Sequence, residues 1–239
     1  MNDADRSSAY FALLREIQPL RELPDEAARF VAGGSVLRTL SRGQILCEKG
    51  NTSAGLFCLF SGRIKLSAIS ADGGERVLEL VLPGRMFGQA AALLNQPFPL
   101  LAQALCESRV LQVSRERIHD AVGQWPEFTA AMLKSLAQNC LCLIHDLEAC
   151  CLMSAGERVV DLLIKESERV PGPGDAACVL LPTSKAMVAS RLNLTPETFS
   201  RELHDLAHQG LIVVDRRTVH IHSLSQLRAQ IERRAGAVQ

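Results

Sequence analysis

Glycine recurs at close intervals through residues 34–114, at Gly43, Gly50, Gly55, Gly62, Gly73-Gly74, Gly84 and Gly88. Between these breakers lie short runs of alternating or wholly apolar character, such as Ile64-Lys65-Leu66 and Val77-Leu78-Glu79-Leu80-Val81. Many short strands joined by regular turns specify a β sandwich or barrel, because each strand buries one face and must pair along its edges. Asp72-Gly73 is a hairpin signal inside this region.

The flanks are different. Residues 1 to about 30 read as helical, with Phe11, Leu14 and Leu20 ahead of a restart at Leu23-Pro24-Asp25-Glu26. From Pro126 to Met153 the pattern is helical and long. Leu133, Leu136, Cys140, Leu143, Leu147 and Cys150 follow strict 3-4 spacing, an a/d seam suited either to pairing with a second helix or to packing on the chain's own core. Ser154-Ala155-Gly156-Glu157 reads as a hinge into a helix over Arg158 to Glu168. Pro171-Gly172-Pro173-Gly174-Asp175 reads as a loop, and Cys178-Val179-Leu180-Leu181 as a short strand.

Two short helices and a hairpin follow. Thr183 is a candidate cap for the first helix, whose apolar side is Ala186, Val188, Ala189 and Leu192; Asn193 suits the left-handed turn that ends it. The second helix carries strong start signals: Thr195 at the cap, Pro196 at the first position and Glu197 in the first turn. Phe199, Leu203 and Leu206 form its core face, so Glu197, Ser200, Arg201 and His204 point away, and Gly210 ends it. Val213, Val219 and Ile221 then make a hairpin around Asp215-Arg216-Arg217. This order is that of a winged helix-turn-helix, whose second helix enters the major groove of DNA. Arg reads guanine and Glu accepts from cytosine, so Glu197, Ser200 and Arg201 are the candidates for base readout. Thr183, Thr195, Thr198, Arg216 and Arg217 are the candidates for the DNA backbone. A solvated Glu197–Arg201 pair on a surface helix is the plainer account of those two residues alone.

These residues resemble the Crp/Fnr family of bacterial transcription regulators over nearly the whole chain. Leu194-Thr195-Pro196-Glu197-Thr198-Phe199-Ser200-Arg201 is similar to the Fnr-type recognition helix, Glu-x-x-Ser-Arg; Pro196 stands where the Crp-type helix has Arg. The resemblance implies an α+β chain in three parts: an N-terminal helix and jelly-roll-like β-roll sensor over 1–125, a dimerisation helix over 126–153, and a winged helix-turn-helix over 154–239. It also implies a homodimer on a TTGAT…ATCAA palindrome, with RNA polymerase as a partner.

The resemblance bears on the signal too. Members that bind cAMP hold it with a Gly-Glu pair and an Arg-Ser pair; here Gly88-Gln89 and Pro99-Leu100 stand there, so the phosphate fork is missing and cAMP is not expected. Fnr itself holds an iron-sulphur cluster on N-terminal cysteines, whereas no Cys precedes Cys47, so a cluster of that type is not expected. A Fnr-like reader with neither is similar to the Dnr/NnrR branch, which responds to nitric oxide, in some cases through haem. Phe87, Gln89, Leu93, Leu94, Phe98, Leu100, Leu143 and Ile144 are the candidate effector pocket, and His145 the candidate haem ligand. Ordinary core packing is the competing account of the apolar set. Cys140, Cys142, Cys150 and Cys151 are open to three readings: small buried hydrophobes, a thiol switch across a dimer, or metal ligands.

Composition limits the rest. The chain has 239 residues, 47% of them hydrophobic, and zero formal net charge, so a strongly non-specific nucleic-acid binder is not expected. Thr183 to Gln239 holds eight Lys/Arg against five Asp/Glu, and four of the six histidines. No signal peptide is evident, and the uncharged stretch from Met86 to Cys106 contains too many polar residues and prolines for a membrane span. A cytoplasmic protein with reduced thiols is expected. No nucleophile-base pair, metal motif or phosphate loop suggests an enzyme. Three rivals stand: thiol-redox control, a cyclic-nucleotide regulator with a rebuilt pocket, and a haem or small-molecule binder with a vestigial DNA domain.

Overall fold

The computed structural model describes residues 3–52, 55–169, 174–181 and 183–235. It divides into two compact units, Met1–Cys142 and Leu143–Gln239. The division falls inside the long helix, not at the expected 125/126 and 153/154 boundaries.

The first unit opens with α1 (Asp3–Leu14) and α2 (Asp25–Gly33), then runs through β1 (Ser35–Leu40), β2 (Ile45–Cys47), β3 (Leu56–Ser61), β4 (Ile64–Ile69), β5 (Glu75–Val81), β6 (Met86–Phe87), α3 (Gln89–Leu93), β7 (Leu101–Ala104), β8 (Ser108–Val113) and α4 (Arg115–Gln124). The strands form two antiparallel four-stranded sheets in the orders β1-β8-β3-β6 and β2-β7-β4-β5. The glycine punctuation implies a sandwich or barrel, and the two sheets form the roll that the family resemblance implies. Strand alternation builds its two cores. Phe57, Leu59 and Val110 of the first sheet meet Ile64, Leu66 and Ala102 of the second. Leu56, Cys58 and Leu111 point the other way, onto Leu14, Val31, Ile118 and Phe128 of the helices. The first sheet is therefore covered on both faces, which is why β3 reads as a continuous apolar run and not an alternating one.

The turns behave as their residues require. Ser70 N donates to Gly74 O at 2.9 Å, with Gly73 at φ +84° in the β4–β5 hairpin. Gly62, at φ +90° between β3 and β4, lies so close to Ser108 and Glu107 that a Cβ has no room.

The long helix α5 spans Pro126–Leu152. Phe128, Met132 and Ser135 bury its first half, but every residue from 140 to 148 is exposed.

The second unit contains α6 (Ala155–Arg169), β9 (Ala177–Leu180), α7 (Lys185–Arg191), α8 (Pro196–His208), β10 (Ile212–Asp215), β11 (Thr218–Ile221) and α9 (Leu224–Ala235). Helix α6 starts three residues earlier than expected. Ser154 N donates to Glu157 Oε2 at 2.7 Å and Glu157 N donates to Ser154 Oγ at 3.3 Å, a capping box that satisfies two orphan donors reciprocally. The expected Pro171-Gly172-Pro173 loop lies outside the described residues. A three-stranded sheet in the order β10-β11-β9 closes over a core of Val159, Leu163, Val179, Phe199, Leu203 and Val219.

Candidate nucleic-acid interface

Helices α7 and α8 and the β10–β11 hairpin assemble the motif in the expected order. The cap of α7 is Ser184, whose Oγ accepts from Met187 N at 3.4 Å. This corrects Thr183, which is buried and whose hydroxyl donates to Ser184 O at 3.5 Å. Burial of that hydroxyl also withdraws Thr183 from the set that faces solvent. The chain then turns at Asn193, φ +55°, and Leu194 N donates to Ala189 O at 2.9 Å.

Thr195 caps α8, its Oγ1 accepting from Thr198 N at 3.1 Å and lying 3.0 Å from Thr198 Oγ1. Pro196 follows at the first helical position, where its missing N–H costs nothing. Phe199, Leu203 and Leu206 are buried, which fixes the rotation of the helix. Glu197, Ser200, Arg201, His204 and His208 consequently share the exposed face. Arg201 is 65% exposed, with only a loose 3.6 Å pairing to Glu202; its nearest carboxylate is thus Glu202 and not Glu197, as the surface-pair account had it.

At the hairpin tip Asp215 faces Thr218 across a two-residue turn, with Arg216 at φ +53°. The two tip arginines differ. Both are exposed, with Arg216 at the apex. Arg217 donates from Nε and Nη2 to Leu181 O at 3.1 and 2.9 Å, while Leu181 N donates to Arg217 O at 2.9 Å. Its guanidinium therefore fastens β9 to the tip, a structural task that sequence spacing did not reveal.

One residue that sequence reading missed supports the motif from below. Arg158 Nη1 donates to Leu192 O at 2.9 Å, occupying a carbonyl that the end of α7 leaves unpaired. Arg158 Nε is buried without a partner among the described residues. Nothing in local sequence marks a contact 34 residues away.

The candidate effector set does not form one lining. Phe87, Phe98 and Leu100 belong to the inter-sheet core, where Phe57 stacks on Phe87 at 5.2 Å and meets Phe98 edge-on at 6.4 Å. Leu93 packs against the helical core instead, and Leu94 is 69% exposed. Leu143 and Ile144 are exposed on α5, in the part assigned to the other unit. Only Phe87 lies in a strand; the others belong to α3, α5 and the connection before β7, and each follows the packing of its own segment. His145 is exposed, 3.8 Å from Glu148. Within the first unit, then, the aromatic members of the set are both packed on Phe57.

Gln89 is buried and turned toward α5. Its Nε2 donates to Ser135 Oγ at 3.0 Å and to Met86 O at 3.3 Å. Its amide thus joins the roll to the long helix.

On α5, Leu133, Leu143 and Leu147 are each more than 60% exposed, Cys140 is exposed, and Leu136 and Cys150 are half-buried. Cys142 and Cys151 are exposed as well. Within one chain, then, Cys140, Cys142 and Cys151 are not the small buried hydrophobes of the first reading. In the roll the thiols are different: burial pushes Cys58 up to about 12, and burial, opposed by Arg38, pushes Cys47 up to about 11. Among the described residues no three His, Cys, Asp or Glu side chains converge as a metal-ligand set. Among the described residues no helix is long and apolar enough to cross a membrane.

Comparison with known proteins gives two matches along the chain. Residues 37–124 match the cyclic nucleotide-binding domain, and residues 157–230 match the Crp-like helix-turn-helix domain. An anaerobic regulatory protein of Pasteurella multocida is 27% identical over 80% of this chain and 70% of its own length. The transcriptional activator protein anr of Pseudomonas aeruginosa is 27% identical over 77% of this chain and 75% of its own. Among solved structures, FixK2 from Bradyrhizobium japonicum superposes with a TM-score of 0.73 at 20% identity, covering 82% of this chain and 96% of that one.

Proposed function

The chain belongs to the Crp/Fnr family of transcription regulators, and from that premise we propose that it reads a TTGAT…ATCAA-type palindrome as a homodimer, under a signal other than cAMP. The observation that carries the reading is the exposed face of α8. A cap at Thr195 and a buried Phe199-Leu203-Leu206 stripe hold Glu197, Ser200 and Arg201 outward on the first two turns, the part of a recognition helix that meets base edges. Arg201 and Glu197 lie one turn apart, which suits neighbouring base pairs. Thr195, Thr198 and Arg216 supply the backbone contacts that set register.

The unpartnered apolar stripe on α5 supports the dimer. Leu133, Leu143 and Leu147 remain in water in a single chain, and each leucine so exposed forgoes about 1.5–3 kcal/mol of burial. A second copy of the same helix covers them in register, and its two-fold symmetry places two readers on two half-sites. A non-cAMP signal is supported by Gln89 and Leu100: neither offers the phosphate a charge, and the Gln89 amide is engaged by Ser135. RNA polymerase is the partner such a regulator addresses.

Fluorescence anisotropy with labelled operator and scrambled duplexes tests the reading. The wild-type chain prefers the palindrome, and Arg201→Ala loses that preference, a discrimination of about 1–3 kcal/mol per half-site. Undiminished preference in Arg201→Ala removes the assignment.

A further inference from the structure

The exposed stripe of α8 does not end at Arg201. His204 and His208 continue it for two further turns, their rings 4.5 Å apart and set edge to face at 73°. Both are exposed. With a rise of about 1.5 Å per residue, His204 stands roughly 4.5 Å and His208 roughly 10.5 Å along the axis beyond Arg201. The major groove is about 12 Å wide. A helix whose first turns meet base edges therefore carries its third and fourth turns to the groove wall, where the phosphates are.

Resting on the proposed reading of DNA by α8, we propose that His204 and His208 form a proton-gated phosphate clamp. When both take a proton from solvent, their ring N–H groups donate to one backbone phosphate, so acidification strengthens operator binding. The chemistry is specific to the pair. Two imidazolium rings this close repel each other, and an anion that accepts from both offsets part of that repulsion. Imidazole is also the side chain whose ordinary pKa, near 6.5, lies within the physiological range.

The surrounding charges leave the clamp to its ligand. On α8 itself the neighbours are Arg201, loosely paired with Glu202, and the exposed Asp205. Helix α8 packs against α6, α7 and β10. On α6, Glu157 lines a small groove with Glu202, Asp205 and Gln209. Asp161 pairs with Lys165, and Glu166 with Arg191 of α7. Lys185 of α7 and Asp215 of β10 complete the set. Asp205 is the one carboxylate adjacent in sequence to the pair, and a backbone phosphate, of the same charge, differs from it in accepting from both rings at once.

The test is operator affinity of the full chain against pH, by anisotropy, at fixed ionic strength. Uptake of one to two protons makes Kd fall about 10- to 100-fold between pH 7.5 and pH 6.0, the slope counting protons gained on binding. His204→Gln/His208→Gln loses most of that slope. Each single variant loses more than half of it, because one phosphate is shared by two rings. His119→Gln, in the roll, keeps it. A double variant with the wild-type slope overturns the clamp, as does a flat wild-type profile in a protein that still prefers its palindrome. Absence of any palindrome preference at every pH is a different failure and removes the reader assignment itself.

Discussion

Replacing Ser135 by alanine tests how the roll is joined to α5. In the native chain the buried Gln89 amide nitrogen has two acceptors, Ser135 Oγ at 3.0 Å and Met86 O at 3.3 Å. Ser135→Ala removes the better one and leaves a buried donor with one acceptor fewer. Leaving a buried polar group unsatisfied costs about 1–3 kcal/mol. Gln89→Leu removes the donor instead. The Ser135 hydroxyl then turns to a carbonyl of its own helix, one turn back, which limits that cost to about 1 kcal/mol or less. Removing both polar groups leaves two apolar side chains of tolerable shape, a change that is close to neutral. The expected order is therefore unusual: Gln89→Leu/Ser135→Ala is more stable than Ser135→Ala alone. The chain has one tryptophan, Trp125, packed on Phe30 at 4.5 Å in the first unit, so denaturant unfolding followed by tryptophan fluorescence reports the right part. Costs that simply add, or a Ser135→Ala cost under about 0.5 kcal/mol, refute the argument, since contacting residues that share a hydrogen bond must couple.

Thr195→Ala removes the cap of α8 and destabilises the second unit by about 1 kcal/mol, with weaker operator binding as the recognition helix frays; circular dichroism melts and anisotropy check the two effects, and an unchanged melt contradicts the cap. Leu147→Glu places a charge on the apolar stripe of α5, and sedimentation velocity then shows a monomer where the wild-type chain sediments as a dimer; an unchanged coefficient argues that some other surface pairs the chains. Glu75 accepts from Lys65 at 2.6 Å and from Ser67 at 2.6 Å. Burial alone would raise its carboxyl, but the hydrogen bonds from Lys65 and Ser67 and the Lys65 charge hold it below the usual range. A depressed carboxylate stabilises the fold above its ordinary value, near 4.3, and that contribution is lost as pH falls through the lower folded value. Glu75→Gln should thus be less stable than the wild type at pH 6, with the difference closing toward pH 3; a constant difference across that range shows that the Lys65 pairing is not its source.

Much of the fold was legible because the code is local. The glycines between 43 and 88 announced a roll, and Asn193 and Gly210 take the left-handed conformations that end helices, φ +55° and +69°. The Thr195-Pro196-Glu197 start of α8 lies where cap chemistry alone puts it, and Phe199, Leu203 and Leu206 fix its rotation by period. The S-x-x-E signal at Ser154-Glu157 was also present in the sequence, but was read as a hinge, and the helix begins at Ala155 because the box caps it. The choice between Thr183 and Ser184 was finer than sequence allows: both residues make good caps, and burial of Thr183 against the core assigns the task to its neighbour.

The sequence by itself determined the many short strands of the first unit, the length of α5, the order of helix, turn, helix and hairpin, and the outward face of Glu197, Ser200 and Arg201. All of these follow from residue periods and backbone preferences that act over a few positions. Only the tertiary structure decided what joins distant segments. It turned Gln89 toward Ser135, 46 residues on. It bound Arg217 to Leu181 and Arg158 to Leu192. It also divided Phe87, Leu93, Leu94 and Phe98 between two cores and solvent, so that a set contiguous in sequence forms no common wall. A strand's alternation fixes that two neighbours face opposite ways, but which face meets a second sheet, which meets a helix and which meets water depends on packing partners that local sequence does not name.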